Sequence, residues 1–310
     1  MIISCGEALI DCFQKPGQYS FDAIIGGSPL NVAVALANAG SDSALLTNIS
    51  SDNFGQMHVK HLEDNGVSTD FVTRSAHLSG LMFVQYNEDK SAAYNFYGHD
   101  SAEINYQYTP ALDAQLAAVD CLHFGSFSLV SGLTAHSFSK IIDQQKADKI
   151  ISIDINVRTA IEPDLAIWLA KFNELINKAH IIKASSEDVC LLYNLTEFTA
   201  ENAQNIMQQW ADDGATLAVI TDAGNGAYAL INNTFVHVPA NPVDIIDTVG
   251  AGDCFMAFFL NYLDKNQLLS LNNLKSITAQ QLASAMTRAI SAASYTVEKK
   301  GAIFPKPSDL

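Results

Sequence analysis

Asp247-Thr248-Val249-Gly250-Ala251-Gly252-Asp253 runs straight into the apolar stretch Cys254-Phe255-Met256-Ala257-Phe258-Phe259-Leu260. Small residues at Gly250, Ala251 and Gly252 let the backbone turn tightly into a helix, so unpaired N–H groups and the positive end of the helix dipole converge on one spot. Such a spot holds an anion. Asp253 at its rim would repel a resting anion, but it suits a base that takes a proton from an attacking hydroxyl. The implied chemistry is phosphoryl transfer to an alcohol. A glycine-rich loop capped by an acidic residue before a buried helix is the plainer reading of GxGD alone, and the seven-residue form is more specific than that.

Outward from this junction the chain has 310 residues, 48% of them hydrophobic and 16% charged, a composition that folds throughout. Its 33 acidic against 17 basic side chains give a net charge of −16, which opposes general binding to nucleic acid or to an anionic membrane. A local anion site survives that balance, because backbone N–H groups and a divalent cation outweigh distant charge. The five cysteines form no CxxC pair and lie mostly in apolar runs, which suits a reducing compartment. No basic segment leads into a long apolar run at the N-terminus, and no stretch approaches membrane-spanning length, so a cytoplasmic protein is expected. The eight histidines have no metal-ligand spacing, and neither a Walker A run nor a GxGxxG after the first strand is present.

Short apolar runs at 2–5, 44–49, 119–124, 150–155, 180–183, 217–221 and 227–231 alternate with amphipathic stretches at 30–39, 57–65, 137–147, 165–177, 203–212, 255–265 and 282–297. That rhythm predicts an α/β fold with a mainly parallel sheet covered on both faces. Ser28 with Pro29, and Thr199 ahead of Glu201, read as helix starts. Segments 12–25 and 72–100 break the rhythm with period-two patterns, including a hairpin that turns at 87–90. No linker divides the chain, so 1–310 is expected to be one domain carrying these two segments as an appendage.

Gly26-Gly27-Ser28-Pro29-Leu30-Asn31-Val32-Ala33 and the 247–253 run together resemble the N- and C-terminal signatures of the ribokinase-like (PfkB-type) carbohydrate kinases. Fructokinases are the most similar subgroup, and the resemblance extends from Gly6-Glu7-Ala8-Leu9-Ile10-Asp11 to Gly301-Ala302. It implies a three-layer fold in which the irregular segments form a small β-strand lid over a sugar and a dimer contact through Phe83, Tyr94, Phe96 and Tyr97. It also implies ATP and magnesium, with potassium near Asp247, and Asp253 as base beside the N–H groups of Gly250, Ala251 and Gly252. Asp11, Gly26, Gly27, Asn31, Tyr94 and Phe96 become sugar contacts. Taken alone, Asp11 reads equally as an ordinary loop aspartate, and Gly26-Gly27 as a turn into a helix.

Three further runs carry polar groups to the carboxyl ends of strands, where ligands gather in open α/β sheets. In Asp154-Ile155-Asn156-Val157-Arg158 the alternate polar residues are expected on one side, with Asn156 and Arg158 facing the acceptor or the phosphates; the structural alternative pairs Arg158 with Asp154. The run resembles the Asp-x-Asn-x-Arg of fructokinases and 2-keto-3-deoxygluconate kinases. In Lys183-Ala184-Ser185-Ser186-Glu187, Lys183 and Ser185 are nucleotide contacts and Glu187 orders water around magnesium, or else caps a helix. Many relatives have Asn where Ala184 stands. Thr221-Asp222-Ala223-Gly224-Asn225-Gly226 resembles a Thr-x-Gly-x-x-Gly nucleotide loop, making Thr221 and Gly226 contacts. Ala223 occupies a glycine position, where a positive φ would strain it unless Gly224 takes the turn.

The expected activity is ATP-dependent phosphorylation of a sugar primary hydroxyl, fructose to fructose 6-phosphate, with 2-keto-3-deoxygluconate, ribose or a nucleoside as other acceptors. A sugar-binding regulatory protein without turnover is the reading from another class. Ala184 and Ala223 motivate it, while the complete 247–253 run and Arg158 oppose it.

Overall fold

The computed structural model describes residues 1–15, 17–86 and 92–310. Its larger sheet has nine strands in the order β13-β12-β11-β10-β9-β8-β1-β4-β5. These are β1 (Ile2–Cys5), β4 (Ser43–Ser50), β5 (Val72–Ser75), β8 (Cys121–Gly125), β9 (Ile150–Asp154), β10 (Ile181–Ser185), β11 (Leu217–Thr221), β12 (Ala227–Ile231) and β13 (Thr234–Val238). All neighbours from β5 to β11 pair parallel, and β12 and β13 add an antiparallel edge.

Successive residues of these strands feed two cores, one on each face. Ile2, Leu45, Cys121, Ile150, Ile181 and Leu217 pack with α1 (Ser28–Asn38), α8 (Ala251–Lys265) and α10 (Ala279–Val297). Ile3, Leu46, Leu122, Ile151, Ile182 and Ala218 pack on the opposite face with α4 (Gly132–Gln145), α5 (Leu165–Ile176) and α7 (Ala200–Asp212). Helix α8 is apolar almost all round because it is buried almost all round: residues 253–261 are all buried. Four shorter or peripheral helices complete the layers: α2 (Asn53–Asp64), α3 (Ala111–Gln115), α6 (Ser186–Tyr193) and α9 (Leu271–Leu274). Among the described residues no helix is long and apolar enough to cross a membrane.

The smaller sheet runs β3-β2-β6-β7, from β2 (Leu9–Gln14), β3 (Phe21–Gly26), β6 (Leu81–Tyr86) and β7 (Ala92–Tyr97). It stands outside the βα series, as the period-two patterns predicted. Its limits differ from the expected segments. Residues 72–75 form β5, which pairs with β4 at the edge of the large sheet, and the small sheet takes up residue 9 onward. The expected turn at 87–90 lies outside the described residues.

Chain order reverses at β1, which has β4 on one side and β8 on the other. In open α/β sheets the crevice beyond the strand carboxyl ends at such a switch is where ligands bind. The carboxyl ends of β9, β10 and β11, with the loops that follow them, and the first turns of α1 and α8 carry most of the residues singled out from the sequence, while Asp11, Gly26, Tyr94 and Phe96 lie on strands outside the nine-stranded sheet.

Candidate active site

Gly250 caps α8 with φ 78° and ψ 0°, and no side chain caps the helix. A Cβ at Gly250 would stand 2.9 Å from that of Ala302, in a backbone conformation that L side chains rarely adopt. The Ala251 N–H donates to the Thr248 carbonyl at 3.2 Å, so it is not part of the expected cradle; the tight turn uses it internally. Among the described residues no protein acceptor meets the N–H groups of Gly252 and Asp253, which leaves these first-turn donors for an anion.

Asp253 is 8% exposed and is held from both sides. Ser28 Oγ donates to its Oδ1 at 2.6 Å, and Asn31 Nδ2 donates to its Oδ2 at 2.8 Å. Asn156 Nδ2 in turn donates to Ser28 Oγ at 2.8 Å. The two signature runs, more than two hundred residues apart, thus meet at one carboxylate. Ser28 is not the cap of α1: Gly27 holds that position with φ 112°, and the hydroxyl serves Asp253 instead. A Cβ at Gly27 would press on the Glu7 carbonyl, so the glycine allows the loop after β1 and the start of α1 to touch.

Asp11 lies on β2 with its carboxylate packed over Gly26, where a Cβ would collide with Oδ2. Burial pushes its carboxyl up to about 6, and the charge of Arg158 pulls it partly back. Asp11 pairs with Met82, and Met82 with Phe96, so strand register puts Tyr94 and Phe96 on the Asp11 face of the small sheet. Phe96 rests on Phe127 at 5.5 Å between ring centroids. Phe83 and Tyr97 belong to the other face, in a ladder with Phe21 at centroid distances of 5.0 and 5.2 Å. The four expected dimer aromatics are therefore not one patch.

The alternation expected across residues 154–158 ends with the strand. β9 stops at Asp154, and Asn156 adopts φ 43°. Asp154 is buried and pairs with Lys183, Nζ to Oδ2 2.7 Å, rather than with Arg158. Its Oδ1 has no partner among the described residues. Burial raises its carboxyl above the ordinary range, against the pull of Lys183. Arg158 is exposed, and its Nη1 donates to the Val157 carbonyl at 3.1 Å. Lys183 Nζ reaches the start of α8, 3.3 Å from where a Cβ on Gly252 would stand. A buried cation therefore borders the cradle.

Ser185 caps α6 through a capping box with Asp188, and Asp188 Oδ1 also accepts from the Val157 N–H at 2.8 Å. Asp188, not Glu187, does the capping, and Glu187 is exposed at the helix start. Thr221 ends β11, and the turn to β12 bends through Ala223 at φ 40° and Gly226 at φ 98°. Gly224 does not take over the left-handed position. Asp247 is engaged on both oxygens, Oδ1 by the Val249 N–H at 3.0 Å and Oδ2 by the Gly301 N–H at 2.9 Å, so it buttresses the loop from the C-terminal segment.

Sequence reasoning missed Ser28 and Asp188 as site-building residues. The Ser-x-x-Asp spacing at 185–188 signals a capping box, whereas nothing local to residue 28 reports a partner at 253. It also did not foresee the partner of Asp154, because a lysine on the neighbouring strand is invisible to local spacing.

A model of the pfkB family carbohydrate kinases matches residues 1–309. A fructokinase of Rhizobium leguminosarum bv. trifolii is 31% identical over 288 residues, covering 91% of this chain and 85% of that one. A probable fructokinase-5 of Arabidopsis thaliana is 29% identical over 320 residues, covering 100% and 95%. Among solved structures, a fructokinase with bound ATP from Xylella fastidiosa superposes with a TM-score of 0.87 at 25% identity, over 99% of this chain and 96% of that one. An uncharacterized sugar kinase from Pyrococcus horikoshii in complex with ATP gives 0.82 at 27% identity, over 100% and 97%. Fold and relatives together define an ATP-dependent sugar kinase. The chain belongs to the pfkB family of carbohydrate kinases.

Proposed function

We propose that this enzyme transfers the γ-phosphoryl group of ATP to the primary hydroxyl of fructose, giving fructose 6-phosphate, with Asp253 as general base. The observation that carries the reading is the position of the Asp253 carboxylate in the first turn of α8, between Ser28 and Asn31 and beside unpaired backbone N–H groups. Fructose as the acceptor is supported by relatives named fructokinase that align over most of the chain.

In this mechanism Asp11, Asn31 and Asn156 hold the sugar hydroxyls, with Gly26 and Gly27 allowing the ligand close to the backbone. Arg158 grips the acceptor or the phosphates, and Tyr94 and Phe96 cover the site from the small sheet. Asp253 accepts the proton of the primary hydroxyl as that oxygen attacks the γ-phosphorus, and the bond to the β-phosphate oxygen breaks to leave ADP. The Gly252 and Asp253 N–H groups, with Gly250 shaping the turn, stabilise charge on the phosphoryl oxygens. Lys183, Ser185, Thr221 and Gly226 line the nucleotide side. The lid keeps water from competing with the sugar.

Among the described residues no group of three or more His, Cys, Asp or Glu converges on a metal position. The donor set suits a magnesium ion held mainly by phosphates and water, with Glu187 at the start of α6 and the unpartnered Asp154 Oδ1 as outer acceptors. When bound, magnesium would neutralise charge on the bridging phosphate oxygens. Potassium beside the loop that Asp247 braces belongs to the same reading. So do a homodimer through the small sheet and a cytoplasmic location, the latter supported by five free cysteines.

The test is ADP release from Mg²⁺ and ATP across fructose, 2-keto-3-deoxygluconate, ribose, glucose and nucleosides, with the product position read by phosphorus NMR. Fructose should give the highest kcat/KM and a 6-phosphate. Preference for another acceptor overturns the substrate, and no release with any of them overturns the activity.

A further inference from the structure

At the root of the small sheet lies a buried carboxyl that the mechanism does not use. Glu103, in the 3₁₀ turn Ala102–Ile104, is 1% exposed. It sits between the two roots of the lid hairpin: Gly80, just ahead of β6, and Gly98, just after β7. The Gly80 N–H donates to Glu103 Oε2 at 3.3 Å. A Cβ on Gly80 would collide with Glu103 Oε1, so the close approach needs glycine there. Ser101 makes the connection to the second root. Its Oγ lies 2.8 Å from the Gly98 carbonyl and 2.7 Å from Glu103 Oε1.

A hydroxyl has one hydrogen to give. The Gly98 carbonyl also accepts the Ser101 N–H at 3.2 Å; if the Ser101 hydroxyl hydrogen goes there too, an ionised Glu103 faces Ser101 Oγ with two oxygens in contact and no hydrogen between them. A proton on Glu103 resolves the count: Glu103 donates to Ser101, Ser101 donates to Gly98, and Glu103 Oε2 still accepts from Gly80. We propose that Glu103 is a positioning residue which carries this proton and, through Ser101, clasps both roots of the lid hairpin together.

The clasp reaches the sugar site through one further bond. The Gly80 carbonyl accepts from the Ile10 N–H at 3.1 Å, next to Asp11 on β2. The surroundings agree with a protonated group. Burial pushes the Glu103 carboxyl up to about 7, against hydrogen bonds from Ser101, its own N–H and Gly80, and the neighbouring Glu7 adds repulsion. Glu7 is itself 1% exposed and takes the Ser128 hydroxyl at 2.5 Å. Arg158 acts on Glu7 and Asp11 from beyond β9. On the α2 side, Asp52 grips Ser79 through its N–H and hydroxyl, both at 2.9 Å.

The kinetic consequence rests on Asp11 as a sugar contact, so the test has an arm that needs no turnover. In hydrogen–deuterium exchange, Glu103→Ala should speed exchange of β6 and β7 while the nine-stranded sheet keeps its protection. Glu103→Gln, whose amide donates to Ser101 and whose oxygen accepts from Gly80, should restore the wild-type pattern. Kinetically, Glu103→Ala should raise the sugar KM about tenfold with the ATP KM unchanged, the scale of one buried hydrogen bond lost. In the wild type the sugar KM should rise with pH through about 7, and in Glu103→Gln it should not. Should Glu103→Ala fail to fold, Ser101→Ala removes the relay and should give the same exchange pattern.

Unchanged exchange in β6 and β7, loosening spread evenly over both sheets, or a Glu103→Gln variant as loose as Glu103→Ala would each overturn the clasp. Absence of sugar turnover in the wild type would overturn the proposed activity and leave the exchange result to decide the clasp.

Discussion

Burial of Asp11 brings its carboxyl into a range that an assay can test. With its carboxyl pushed up to about 6, Asp11 as the proposed sugar contact would accept two hydroxyl hydrogens above that pH and lose an acceptor below it. The sugar KM should therefore rise as pH falls through 6, while Asp11→Asn, which cannot titrate, shows no such limb and separates Asp11 from the buried Asp154. A wild-type sugar KM that stays level from pH 8 to well below 6 would contradict Asp11 as the acceptor. Residues of this kind were legible in sequence where a motif carried them: Asn31 and Asp253 stood in the two signatures, and the structure joins them at 2.8 Å. Ser28 was misread as a helix cap because its partner lies 225 residues away. The partner of Asp154 was not legible because Lys183 approaches it from an adjacent strand, β10, across the sheet.

At the scale of elements, apolar runs reported the buried parallel strands well, since both faces are covered and most positions are apolar. β1, β11 and β12 have the limits that their runs suggested. Edge elements were harder. β5 and β13 are short, half-exposed strands that lack such runs, and 72–75 was assigned to the lid because period two does not say which sheet a strand joins. The turn between β11 and β12 stores strain. Ala223 sits at φ 40°, in the left-handed region that costs a non-glycine residue about 1–2 kcal/mol. Ala223→Gly should therefore stabilise the protein by about 1 kcal/mol in urea unfolding, although it adds freedom to the unfolded chain. A loss of similar size, as at an ordinary φ, would contradict the strain.

For the whole molecule, two sheets divide the labour: the large one presents strand ends and helix N-termini, and the small one covers them with the Asp11 face. Its opposite face carries the Phe21–Phe83–Tyr97 ladder, with Tyr97 65% exposed. If that face joins two copies, light scattering gives a dimer and Tyr97→Glu gives a monomer; a monomeric wild type at assay concentration removes the pairing. In the proposed mechanism one carboxylate, held by residues from both ends of the chain, takes the proton during phosphoryl transfer. The direct measurement is fructose-dependent ADP release by Asp253→Asn beside the wild type, with fructose and ATP binding followed calorimetrically in both. Binding should be retained and kcat should fall by about 10²–10⁴-fold, and an Asp253→Asn variant that binds and turns over like the wild type would contradict Asp253 as the base.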